Sequence, residues 1–212
     1  MIAALYVATG GIYFNRADVD AWDIERDARK YAGPYPVVAH PPCERWGRYW
    51  NGGPSARVRR VKGDDGGCFA AALAAVRRWG GVLEHPEASH AWRTFGLVAP
   101  PHRGGWIPAG DGVGFTCCVE QGHYGHRARK KTWLYAVGVD LPSLTWGKSA
   151  AGVRLDQGYH SKEERRAAQR LGTLRVKGDK RMARSECAAT PPAFAELLIS
   201  IAKSARVSTE AA

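Results

Sequence analysis

The 212-residue chain has no apolar run approaching the ~18–20 residues that a membrane-spanning helix requires. Its start, Met1-Ile2-Ala3-Ala4-Leu5-Tyr6-Val7, carries no basic segment ahead of the apolar residues, so it reads as a strand and not as a signal peptide. Five cysteines without a secretion signal point to thiols in a reducing cytoplasm, not to a disulfide framework. Acidic residues are scarce: 20 Asp and Glu face 31 Lys and Arg, a formal net charge of +11. That surplus favours a polyanionic partner, nucleic acid first. The remaining composition, 45% hydrophobic and 24% charged, is that of a globular domain and excludes wholesale disorder. The length suits one domain with a core of its own, over residues 1–206 with a frayed tail at 207–212, and no internal repeat is visible.

Three short, nearly continuous apolar runs organise the first half. Ile2 to Thr9 stops at Gly10-Gly11, Pro36 to Ala39 stops at His40-Pro41-Pro42-Cys43, and Gly81 to Leu83 stops at Glu84-His85-Pro86. Such runs are how parallel strands buried on both faces look. Between the second and third, Gly67 to Trp79 is Ala-rich with apolar residues at helical spacing and ends in basic residues and Gly80. Strand, helix and strand make a βαβ unit with an expected right-handed crossover. Further strands are predicted at Gly114 to Glu120 and Thr132 to Gly138. A basic helix is predicted over Ser161 to Leu171, capped by Ser161, and an amphipathic helix from Pro191-Pro192 to about Ala205. The Gly- and Arg-rich stretch Trp50 to Gly66 reads as a mobile loop. The expected fold class is α/β.

Two residues stand where open α/β sheets bind ligands, just beyond the carboxyl ends of strands. Cys43 follows one strand and Glu84 another, so a thiol and a carboxyl group can meet over one pocket, the arrangement of covalent catalysis with an acid set against the substrate. A small buried hydrophobe and a salt-bridged carboxylate fit the same two positions.

The segment Pro36-Val-Val-Ala-His-Pro-Pro-Cys43-Glu-Arg-Trp46 resembles the Pro-Cys loop of the DNA cytosine-5 methyltransferases, and Val82-Leu-Glu84-His-Pro86 resembles their Glu-Asn motif, with His85 where Asn is usual. Gln121-Gly-His-Tyr124-Gly125 through Arg127, Arg129 and Lys130 is similar to the family's Tyr-Gly and arginine segment. Tyr6-Val-Ala-Thr-Gly10-Gly11 is similar to its cofactor loop, Val19-Asp-Ala-Trp-Asp23 to its acidic strand end, and Thr190-Pro191-Pro192 to its closing motif. The six fall in the family's order. The resemblance implies a Rossmann-like methyltransferase-type sheet with flanking helices and transfer of a methyl group from S-adenosylmethionine to C5 of cytosine in DNA. Cys43 would attack C6, Glu84 would hold N3, and Arg127 and Arg129 would give electrostatic support. Gly10, Gly11, Asp23 and Thr190 would contact the cofactor. Burial is expected to raise the Glu84 pKa so that it can donate a proton. About a dozen residues separate Gly11 from Asp23, so the family's helix there is expected to be short or absent. The family's large target-recognition domain has no room, and the basic segment 139–187 is its reduced counterpart. This compact form resembles bacteriophage-encoded proteins, which implies the host cytoplasm. The alternative is a non-catalytic DNA-binding or regulatory protein on the same scaffold.

Gln121 to Cys187 holds 15 Lys and Arg against six Asp and Glu, interleaved with Trp133, Trp146 and Tyr159, a composition suited to phosphates and bases. Expected nucleic-acid contacts are Arg57, Arg59 and Arg60 in the loop after Cys43, with Lys130, Lys131, Arg165 and Arg166. His40 and His85 either line the base pocket or stand as ordinary surface or capped histidines. The adjacent Cys117-Cys118 pair with His123 and His126 is a poor clamp for zinc, which wants cysteines two to four apart, and no metal is assigned.

Overall fold

In the computed structural model, residues 1–52, 58–153, 162–170, 182 and 184–206 are described. Seven strands form one sheet: β1 (Ile2–Leu5), β2 (Val19–Trp22), β3 (Val37–Ala39), β4 (Gly81–Pro86), β5 (Ile107–Pro108), β6 (Phe115–Glu120) and β7 (Lys131–Val137). The helices are α1 (Cys68–Trp79), α2 (His90–Thr94), α3 (Lys162–Arg170), α4 (Arg184–Ala188) and α5 (Pro192–Lys203), with short 3-10 helices at Ala28–Lys30 and Gln121–Tyr124. The α/β expectation holds, as do the three apolar runs, the strands at 115–120 and 131–137, and the helices at 68–79 and 192–203. Sequence reading missed α2, α4 and the two-residue β5. No described helix is long and apolar enough to cross a membrane.

The strand order is β2-β1-β3-β4-β7-β6-β5. β1 pairs in parallel with β2 on one side and β3 on the other, and β3 pairs in parallel with β4. β7 runs antiparallel between β4 and β6. The strand order therefore reverses between β1 and β3, where a crevice opens in α/β sheets. Because β7 is antiparallel, its first residues lie at the same edge as the last residues of β3, β4 and β6. Between β1 and β2 the described chain is a series of turns with no helix, as expected; Gly10 takes φ +68° there, which favours glycine. Gly81 opens β4 at φ +125°, and a Cβ there would strike the backbone of Val37, so only glycine lets β3 and β4 meet in this register.

Alternation sorts the sheet into two faces. Ala3, Leu5, Val37, Ala39, Leu83, Cys118, Trp133 and Tyr135 pack with Phe69, Leu73 and Val76 of α1 and Trp92 of α2. Ile2, Ala4, Val38, Val82, Cys117, Leu134 and Ala136 pack with Phe194, Leu198 and Ile199 of α5. Cys117 and Cys118 thus enter opposite cores, so the pair cannot grip one ion.

The stretch expected to be a mobile loop is anchored at its end. Gly63 N–H donates to the Arg45 carbonyl (3.0 Å), and Trp46 Nε1 donates to Asp65 Oδ2 (2.7 Å). Asp65 also accepts from the backbone N–H of Gly67 (3.0 Å) and Phe69 (2.8 Å), holding the start of α1.

Candidate active site

The register that pairs Ala39 with Leu83 puts the next residues, His40 and Glu84, side by side on the α5 face of the sheet. His40 Nδ1 lies 3.0 Å from Glu84 Oε2, and its Nε2 lies 2.8 Å from the hydroxyl of Tyr13, a buried residue of the β1–β2 connection. The other carboxylate oxygen, Oε1, accepts from Gln121 Nε2 at 3.2 Å; the same amide donates to Thr132 Oγ1 at 2.8 Å. Both oxygens of Glu84 are therefore held, in a chain running Tyr13, His40, Glu84, Gln121, Thr132. The His40 and Glu84 side chains are each 12% exposed.

Burial is the largest influence on Glu84 and pushes its pKa up, as expected from the sequence. The hydrogen bond and charge of His40, with the positive charge of Lys130, act against it and win, leaving the pKa at about 2. The expectation of a raised pKa is corrected: in the free protein Glu84 is a carboxylate.

Cys43 follows Pro41-Pro42 and is exposed at the strand ends. Its carbonyl accepts from the N–H groups of Trp46 (3.1 Å) and Gly47 (2.8 Å), so a tight turn begins at the cysteine itself. The setting among the loops partly strips water from the sulfur, and this, followed by the charge of Glu84, raises the thiol pKa, while Lys130 acts to lower it. Burial depresses the pKa of Lys130, opposed by Glu84, Cys43 and Cys187. The thiol, the carboxylate and the ammonium thus influence one another electrostatically. Lys130 has φ +32°, a conformation a non-glycine residue holds at a cost, and its Nζ donates to the carbonyls of Ala188 (3.3 Å) and Ala189 (3.0 Å).

The cation at the site is therefore Lys130, assigned from sequence to phosphate binding, and not Arg127 or Arg129. Both arginines are exposed, and Arg127 pairs with Glu186 at 2.7 Å. Sequence reasoning also missed Tyr13, Gln121 and Thr132. The signal for two of them was parity: Thr132, Leu134 and Ala136 alternate onto the face that carries Glu84, and Gln121 continues the face of Cys117 and Val119. His85 points the other way, fully buried against Phe69 and Trp92 with Nδ1 2.7 Å from Ser89 Oγ, and burial holds its pKa down at about 4. Of the two histidines, His40 alone joins Glu84.

A cleft of about 510 Å³ opens at the ends of β1 and β2, lined in part by Tyr6, Val7, Asp23, Ile24, Asp27 and Pro42. Pro42 joins it to the Cys43 turn. Of the four residues expected to contact a cofactor, Asp23 lines this cleft; Gly10, Gly11 and Thr190 do not. Asp23 is 5% exposed and already accepts from Thr9 Oγ1 (2.8 Å) and the N–H groups of Glu25 (3.1 Å) and Arg26 (3.4 Å), which build the turn after β2. Ile24, by contrast, is 90% exposed.

Of the expected nucleic-acid contacts, Arg59, Arg60 and Arg166 are exposed and Lys131 is half-buried at the start of β7. Arg57, and the side chain of Arg165, lie outside the described residues, as does Ser161, the expected cap of α3. Tyr49, 59% exposed, and Lys62, whose Nζ lies 6.0 Å from the Trp50 ring centroid, add an aromatic and a cation to the segment after Cys43. Among the described residues no cluster of His, Cys, Asp and Glu is arranged to hold a metal. No protein-family model, curated protein or solved structure matches the chain.

Proposed function

We propose that the chain is a cytosine-modifying enzyme of the DNA cytosine-5 methyltransferase type, with a methyltransferase-like sheet and Cys43 as its nucleophile. The observation that carries the reading is Glu84 held near the end of β4 by His40 at 3.0 Å, with Cys43 in the turn that follows β3 and a cleft at the ends of β1 and β2 that reaches Pro42. A thiolate that adds to C6 of cytosine turns the ring into an enamine nucleophilic at C5, and negative charge develops towards N3. Lys130 favours the thiolate by its charge. Glu84 faces N3 and shares a proton with it. The base must leave the duplex to reach these groups, which costs a few kcal/mol of unstacking. The exposed Tyr49, Arg59, Arg60 and Lys62, in the segment that follows Cys43 in the chain, suit contacts to the opened strand.

The cleft fits S-adenosylmethionine in size, since pockets for ligands of that class run from roughly 300 to 1,000 Å³. Val7 and the exposed Ile24 would supply apolar contact, while Asp23, already carrying three donors, and Asp27, bound by Arg29 at 2.7 and 3.0 Å, would chiefly shape the wall. Bound there, S-adenosylmethionine would supply an electrophilic methyl group.

The test is incubation with DNA containing 5-fluorocytosine in the presence of S-adenosylmethionine. A covalent protein–DNA adduct that disappears in Cys43→Ala is the expected result. A folded protein that forms no adduct on any DNA, yet binds DNA, overturns the enzymatic reading in favour of a non-catalytic DNA-binding protein.

A further inference from the structure

Glu84 is a carboxylate in the free protein, yet addition of a thiolate at C6 requires that N3 gain a proton. The proton needs a source, and the carboxylate is nearly closed to water. Five titratable groups face it: His40 from the end of β3, Lys130 from ahead of β7, Cys43 from the loop, Tyr13 through His40, and His85 behind it on the other face of the sheet. Lys130 spends donors on the carbonyls of Ala188 and Ala189, and His85 is turned into the opposite core. Among the described residues His40 is the one titrating group hydrogen-bonded to a Glu84 oxygen, at 3.0 Å. Its far nitrogen is fixed by Tyr13 at 2.8 Å, and the rings of Tyr13 and His40 are in contact, their centroids 5.3 Å apart.

Resting on the cytosine reading above, we propose that His40 is a positioning residue that supplies, through Glu84, the proton taken up by N3 of the bound base, with Tyr13 locking the imidazole in the orientation that makes this possible. The step balances. Cys43 Sγ, as thiolate, forms the bond to C6; the C5–C6 π pair moves into the ring towards N3; and Glu84, a carboxylate at the outset, takes a proton from Nδ1 of a His40 that carries protons on both nitrogens and passes it to N3, ending as a carboxylate again. His40 is left neutral. Once C5 is substituted and has lost its own proton to water, the thiolate is expelled and the N3 proton returns to His40 by the same route. Tyr13 keeps its proton throughout, since burial pushes its ionisation far above the working range.

The experiment is the rate of adduct formation on 5-fluorocytosine DNA against pH, for the wild type, His40→Gln and Tyr13→Phe. Wild type is expected to give a bell, rising with the thiolate and falling where the proton donor to N3 is spent. His40→Gln is expected to lose the falling limb and to be slower at pH 7 by roughly 10²-fold, the usual scale of a positioned proton donor. Tyr13→Phe keeps the limb but moves it. An unchanged falling limb in His40→Gln overturns the proposal, as does a Tyr13→Phe profile identical to wild type. Carbon-13 labelling of the Glu84 carboxyl in the free protein separates this from the enzymatic reading. There His40→Gln is expected to raise the Glu84 titration, and an unmoved titration overturns His40's control of Glu84 whatever DNA does. Absence of any wild-type adduct overturns the enzymatic reading, and proton delivery with it.

Discussion

His40 and Glu84 belong to neighbouring parallel strands and stand side by side in register, with Nδ1 of one 3.0 Å from Oε2 of the other. This contact decides the charge of the site. Burial alone would push the Glu84 pKa up; the imidazole, with help from Lys130, reverses the direction.

A consequence follows for acid stability. The Glu84 pKa falls from an ordinary 4.5 to about 2 on folding. A depressed carboxyl contributes stability that is present above its unfolded pKa and is lost as pH falls through its folded one. Between pH 4.5 and 2, wild type should therefore lose roughly 2–3 kcal/mol that Glu84→Gln does not lose. Urea unfolding of both proteins at steps of pH measures it, and parallel stability curves would show that Glu84 is not paired as described.

Lys130 should govern the reactivity of Cys43. The ammonium is the charge that opposes desolvation and Glu84 at the thiol. Lys130→Met is expected to raise the thiol pKa and slow alkylation by iodoacetamide at pH 8 several-fold, while Lys130→Arg retains most of the rate. Mass spectrometry of the Cys43 peptide gives the rate site by site. Equal rates in wild type and Lys130→Met would mean that the two groups do not interact.

Asp65 ties the segment after Cys43 to the start of α1 through Trp46, Gly67 and Phe69. Asp65→Ala removes the acceptor of three donors and should cost about 1–2 kcal/mol, the scale of a lost helix N-terminal cap. Because Trp46 packs on Phe69 and Phe95, the loss should also appear as a change in tryptophan fluorescence. A melting temperature within 1 °C of wild type would contradict it.

Much of this was legible without coordinates. Short apolar runs such as Ile2–Leu5 and Val37–Ala39 can only be strands buried on both faces, and the Ala-rich pattern from Cys68 to Trp79 can only be a helix laid on them, because burial enforces its own periodicity. Cys43 and Glu84 each stand directly beyond such a run, and the parallel pairing of β3 with β4 puts both of those ends at one edge of the sheet. What the linear order leaves undetermined is everything that depends on neighbours across strands. Register set His40 against Glu84 and reversed the direction of its pKa. The backbone at Lys130 turned an ammonium into the site and left Arg127 and Arg129 in water. A cleft at the ends of β1 and β2 is walled by Asp23 while Gly10 and Gly11 only make the turn. Charges and cavities are set by distances in space, and those exist only once the strands have paired.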